Sequence, residues 1–206
     1  MIDKSKIIDT YSTIAKPHRA EIKVKGSKFI ASVSSVPDKE SALLFLGTIR
    51  SEFFDATHNC FAYRIGFDGM EFRAADDGEP NGSAGKPILF TINKFELSDI
   101  IVVVTRYFGG TKLGVGGLAR AYSQAAELAL SECEVKTIHR TIQVKVMCIY
   151  EDVTTIKKLI DEYGVSYNES YSDAVEYIVS VHISKAEEFK NRVSHMTNAR
   201  AGAMIV

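Results

Sequence analysis

The densest set of chemistry-bearing residues is TRYFGGTKLGVGGLARAY, residues 105–122. A β-branched run ends here, five glycines follow, and a helix-forming segment takes over. Glycine lets the backbone adopt φ > 0 and leaves its N–H groups uncovered. A helix start adds positive potential to those groups. Arg106, Lys112 and Arg120 bring cations, and Tyr107 and Phe108 bring rings on which bases stack. The combination predicts an anion seat around Gly109, Gly110, Gly114, Gly116 and Gly117. The plainer reading is that these glycines only let helix and sheet pack closely, but packing leaves the three cations unexplained. Two sharper readings of the stretch fail. Lys112 is followed by Leu113, so GxxxxGK[ST] is absent. Gly114, Gly116 and Ala119 fit GxGxxA, yet the strand ends several residues earlier and no acidic residue marks a later strand end.

A second set lies in DDGEPNGSAGKP, residues 76–87. Asp76, Asp77 and Glu79 either gather to hold Mg²⁺ or do acid–base work, or form an acidic turn bonded to its own backbone. Lys86 stands beside Pro87 and pairs either with these carboxylates or with phosphate. A third set is His58, Asn59 and Cys60. Positions i and i+2 of one strand share a face, whereas a nucleophile and its base usually come from different elements. His58 and Asn59 are therefore read as hydrogen-bonding residues that orient a loop. No HExxH, GxSxG or metal-spaced Cys/His set occurs, so neither a metal nor a cofactor is expected.

The elements that must position these residues follow from periodicity. Residues 2–16 are expected as an extended or frayed arm. Residues 20–36 read as two strands around Gly26, and Asp38 caps a helix whose apolar face is Ala42, Leu43, Phe45, Leu46 and Ile49. Residues 58–67 and 70–74 form a hairpin, residues 87–95 resume apolar character, residues 99–106 form a buried strand and residues 117–132 a strong helix. Residues 134–137 read as a linker. Beyond it come a strand (139–150), a helix capped by Asp152 and ended by Gly164, and a hairpin turning at residues 172–173. A helix capped by Ser184 and a last strand (199–206) complete the order βαββαβ. The class is α+β, with domains at 1–136 and 137–206.

With 206 residues, 46% hydrophobic and 25% charged, the chain has room for two small cores. The net charge is −1 and neither half is basic, so an anionic partner must meet a local patch. Three dispersed cysteines exclude a disulfide framework. The first 19 residues lack a signal-peptide core, and the longest apolar run is far too short to span a bilayer. These features point to the reducing cytoplasm, with no membrane partner.

Four segments carry a resemblance: GSKFIA (26–31), ATHNCFAYRIG (56–66), DDGEPNGSAGKPIL (76–89) and IVVVTRYFGGTKLGVGGLARAY (101–122). Together they resemble the YigZ/IMPACT family, and residues 138–206 resemble the small C-terminal domain of its bacterial members. Asn81 and Ser83 stand where the family often has Ser and Thr. The resemblance implies an N-terminal domain like ribosomal protein S5 domain 2, and with that fold a helix at residues 87–95. It implies a ferredoxin-like C-terminal domain similar to the last domain of elongation factor G. It further implies a translation-linked regulator, since eukaryotic members restrain a starvation-activated kinase by competing for its activator. Those members carry an N-terminal interaction domain not matched here and lack this C-terminal domain, so that partner does not transfer. The expected function is non-enzymatic binding of RNA, a ribosome or another anionic partner. The alternatives are a Mg²⁺-dependent enzyme acting on a nucleotide or phosphorylated small molecule, and a protein–protein interaction module.

Overall fold

A computed structural model describes residues 7–206. The chain divides into two compact units. One comprises residues 11–138, the other residues 139–206 with residues 7–10. Both mix helices and strands, as the α+β class requires.

The larger unit is built on a five-stranded antiparallel sheet, β2 (His18–Val24), β3 (Ser27–Ser35), β4 (His58–Ile65), β5 (Glu71–Ala75) and β6 (Ile100–Tyr107). The spatial order is β2-β3-β6-β4-β5, so β6 lies at the centre. Its side chains alternate between two cores. Ile100, Val102 and Val104 face α2 (Gly85–Lys94) and α3 (Gly114–Ser131), with Cys60 and Ala62 of β4 beside them. Ile101 and Val103, with Phe61, Tyr63 and Ile65, face α1 (Lys39–Glu52). Period-two alternation with both faces apolar is what a strand covered on both sides requires. Asp38 caps α1 by accepting from the Ser41 N–H at 2.7 Å.

Helices α2 and α3 run in the same direction. Pro87, near the start of α2, meets Ser123, midway along α3, and Lys94 at the end of α2 pairs with Glu127 further along α3 at 2.7 Å. Their positive ends therefore point the same way. The chain after β6 passes close to the β2–β3 turn. An added Cβ on Gly109 would sit 1.9 Å from the Gly26 carbonyl carbon, so only glycine fits there. Helix α3 opens earlier than sequence suggested. Gly114, with φ +70, is its first residue, so the second half of the expected glycine loop is a helical turn.

Within residues 2–16, expected as an extended or frayed arm, residues 10–14 are extended and form β1 (Thr10–Ile14), while residues 2–6 of that arm lie outside the described residues. Strand β1 pairs with β7 (Val135–His139), which occupies most of the expected linker.

The smaller unit has β8 (Thr141–Cys148), α4 (Val153–Tyr163), β9 (Gly164–Tyr171), β10 (Val175–His182), α5 (Ala186–Met196) and β11 (Gly202–Ile205). Its antiparallel sheet has the order β11-β8-β10-β9. Val144, Val146, Tyr177 and Val179 bury one face under Ile156, Leu159 and Phe189. Two expected caps act elsewhere. Asp152 turns from α4 and accepts from Arg200 at 2.5 and 3.1 Å. Ser184 lies in a single 3-10 turn before α5 and bonds to Asp9. Among the described residues no helix is long and apolar enough to cross a membrane.

Candidate functional site

Arg106 sits near the end of β6 on the same face as Val104, so its side chain points toward α2 and α3. A guanidinium there needs an anion, because a buried unpaired charge is prohibitively costly. Glu79 supplies it. Arg106 Nη1 donates to Glu79 Oε1 at 2.6 Å, with the two side chains only 6% and 3% exposed. The Tyr122 hydroxyl donates to the same oxygen at 2.8 Å. The guanidinium is flanked by the rings of Phe29 and Phe108, each 5.5 Å from its carbon. Nη2 reaches Ser27 Oγ at 3.4 Å, and Nε is buried with no partner. Arg106 therefore does not serve as an exposed phosphate contact, and one of the three cations expected at the anion seat is neutralised within the fold.

The acidic cluster does not gather. Asp76 accepts three backbone N–H bonds, from Gly82 (2.8 Å), Ala84 (3.0 Å) and Gly85 (2.8 Å). Burial raises its pKa, but these bonds and the nearby Lys86 outweigh that and hold it below the usual carboxylate range. Asp77 accepts from the Asn59 N–H at 2.7 Å and from Arg50 at 2.6 Å. Glu79 faces Arg106. The three carboxylates are thus tied to three separate partners. Among the described residues no group of three or more His, Cys, Asp or Glu is arranged to hold a metal ion.

His58 and Asn59 fix this loop. His58 Nδ1 lies 2.8 Å from the Asp77 carbonyl, which can only accept, so Nδ1 carries the hydrogen. Its Nε2 is 3.9 Å from Glu79 Oε1. Asn59 Oδ1 accepts from the Thr105 hydroxyl at 2.7 Å. The Cys60 thiol is buried, 2.9 Å from the Asp76 carbonyl and 3.3 Å from the Tyr122 hydroxyl. Burial pushes it up to about 12, far from a reactive thiolate at neutral pH.

The exposed part of the site is the start of α3. Gly114, Val115 and Gly116 are exposed, no side chain caps the helix, and no acidic residue lies in its first turn. First-turn amides have no partner within their own helix. The start of α2 differs, because Asp76 already answers the amides of Ala84 and Gly85. Lys112 is exposed beside α3, and Gly109 and Gly110 are exposed before it. Arg120 and Lys86 are exposed across a shallow groove between α3 and α2, together with Phe90. Among the described residues no carboxylate lies within ion-pair distance of Lys86, Lys112 or Arg120. Tyr107 is held by Asp55, to which its hydroxyl donates at 2.7 Å, while Phe108 stays half exposed.

Glu79, Arg106, Phe108, Lys112, Gly114 and Leu118 line part of a cavity of about 270 Å³ at this end of the unit. Sequence reasoning missed the cavity and the roles of Leu113, Val115 and Tyr122. The helical spacing of Leu118 and Tyr122 was the available signal for an inward face.

Comparison with known proteins gives a consistent result. Residues 25–130 match the family model described as the Impact N-terminal domain. The chain is 35% identical over 199 residues to "IMPACT family member YvyE" of Bacillus subtilis, covering 95% of this chain and 90% of that protein. It is 32% identical over 183 residues to "IMPACT family member YigZ" of Escherichia coli, covering 87% and 90%. A crystal structure of a hypothetical protein superposes with a TM-score of 0.68 at 28% identity, over 97% of this chain and 98% of that one.

Two outcomes follow from the buried network. Arg106→Ala leaves the Glu79 carboxylate buried without its counter-charge and should destabilise the fold by about 3–5 kcal/mol. Urea denaturation measures this, and an unchanged midpoint contradicts the assignment. The folded chain also keeps the Cys60 proton that the unfolded chain releases above pH 9.0. Stability from this group is therefore intact below pH 9.0 and is lost as pH rises toward about 12, at up to about 1.4 kcal/mol per unit. Cys60→Ala should flatten the fall in urea midpoint just above pH 9.0, and an equally steep fall in the variant contradicts it.

Proposed function

Because the chain belongs to the IMPACT family, we propose that it is a translation-linked regulatory protein that binds RNA through the start of α3. The family resemblance supports the link to translation, since its eukaryotic members are translational regulators. One observation carries the binding site. The glycine-rich first turn of α3 is exposed and uncapped, whereas the neighbouring start of α2 is closed by Asp76.

Exposed amides at a helix start attract phosphate oxygens by direct hydrogen bonds and by the aligned peptide dipoles. Lys112 adds a cation beside them, and Lys86 and Arg120 extend the positive strip along the α2–α3 groove. This local field coexists with a net charge of −1, because Arg106 and the acidic loop are neutralised internally. A ribosome presents the same phosphate backbone and fits the same reading. Dispersal of Asp76, Asp77 and Glu79 to separate partners favours binding over a Mg²⁺-dependent reaction.

The same reading takes the smaller unit as ferredoxin-like. Its βαββαβ order and the strand order β11-β8-β10-β9 support that. The likeness of the larger unit to ribosomal protein S5 domain 2 rests on the family resemblance.

Binding of single-stranded RNA should weaken with added salt, because each neutralised phosphate releases counterions. Lys112→Ala and Arg120→Ala should each weaken binding and reduce the slope of log K against log[salt] by about 0.7. Thermal stability should not change, since both side chains are exposed. Equal affinity and equal slope in both variants would reject the site.

A further inference from the structure

The cavity beside the start of α3 differs chemically from the amides next to it. Its buried polar groups, Glu79 and Arg106, cancel each other's charge at 2.6 Å. Each still has unused hydrogen-bonding capacity. Arg106 Nε is buried and unbonded. Glu79 receives its bonds at Oε1, so its Oε2 accepts none from the described residues. Most of the remaining lining is apolar, including Phe108, Leu113, Val115 and Leu118.

A phosphate fits such a cavity badly. It would lose its hydration, meet a carboxylate, and find the guanidinium already paired. The occupant that fits is flat and uncharged, with a donor for Glu79 Oε2 next to an acceptor for Arg106. The hydrogen-bonding edge of a nucleobase has that pattern, and its faces stack on aromatic rings. Phe108, half exposed with its ring 5.5 Å from the Arg106 guanidinium carbon, offers such a ring at the opening. Lys112 and Gly114 line the same cavity and stand at the open amides of α3. A strand with one base in the cavity therefore leaves its phosphate beside them.

We propose that this cavity is a subsite for one unpaired nucleobase of single-stranded RNA, read by Glu79 and Arg106 and stacked on Phe108, while the adjoining phosphate rests on the α3 amides. This rests on the RNA-binding reading above, which by itself requires only phosphates. The specificity it implies is for unpaired over duplex RNA, because a base inside a helix has its edge occupied and its faces stacked.

The test compares a short RNA oligonucleotide with the same sugar–phosphate backbone carrying no bases. Affinities are measured by fluorescence anisotropy at one low salt concentration, for the wild-type chain and Phe108→Ala. The bases should strengthen binding to wild type by about tenfold, the scale of one stacked base, and most of that gain should vanish in Phe108→Ala. Val115→Trp, which narrows the opening from an exposed position, should lose the gain as well and serves if Phe108→Ala does not fold. Equal affinity for both oligonucleotides in wild type overturns the base subsite while leaving the phosphate seat standing. A base-dependent gain that persists in the folded variants puts the base elsewhere and also overturns it. Absence of binding by either oligonucleotide overturns the RNA-binding reading and this inference with it.

Discussion

The pairing of Arg106 with Glu79 is the constraint around which the larger unit is arranged. A central strand that ends with a cation under two helices cannot form unless a carboxylate is delivered to the same place. The loop after β5 delivers it, and that loop is in turn pinned at both of its other carboxylates. Asp76 collects backbone amides at the start of α2, and Asp77 holds β4 through Asn59 and α1 through Arg50. Tyr122 ties α3 into the same network through Glu79. Five elements, β6, β4, α1, α2 and α3, are thereby tied together through one loop.

This arrangement decides which charges remain outside. Two parallel helices point their positive ends the same way, but only one of those ends is free. The amides of α2 are answered by Asp76, and those of α3 face solvent beside Lys112. The positive potential is therefore local, on a molecule with a net charge of −1. At physiological salt the screening length is about 8 Å, so the field close to this strip is set by its cations rather than by the whole-molecule charge.

Much of the fold was legible because it is periodic. The alternation in residues 99–106, the cap at Asp38 and the order of elements in the smaller unit all follow from local pattern. What was not legible is long-range pairing. Asp152 and Ser184 have the residue types of caps, yet Arg200 and Asp9 claim them. Arg106 looked like a surface cation by type. Extending the period of two from Val102 and Val104 would have turned it inward, and a buried arginine implies a carboxylate. Glu79 was in view, but as one of three clustered acids, and nothing local separates its partner from those of Asp76 and Asp77. The glycines at 114 and 116 read as loop because glycine is a poor helix former. They lie in the first helical turn, where bare amides are the useful feature.

The central claim is that the uncapped amides of α3 form the anion seat. With every glycine labelled with ¹⁵N, amide resonances can be followed as a short single-stranded RNA is titrated in. The account predicts progressive shifts at Gly114, Gly116 and Gly117, with Gly47, Gly164 and Gly202 unmoved. Shifts confined to Gly164 and Gly202, or none at the start of α3 while RNA binds, would contradict it.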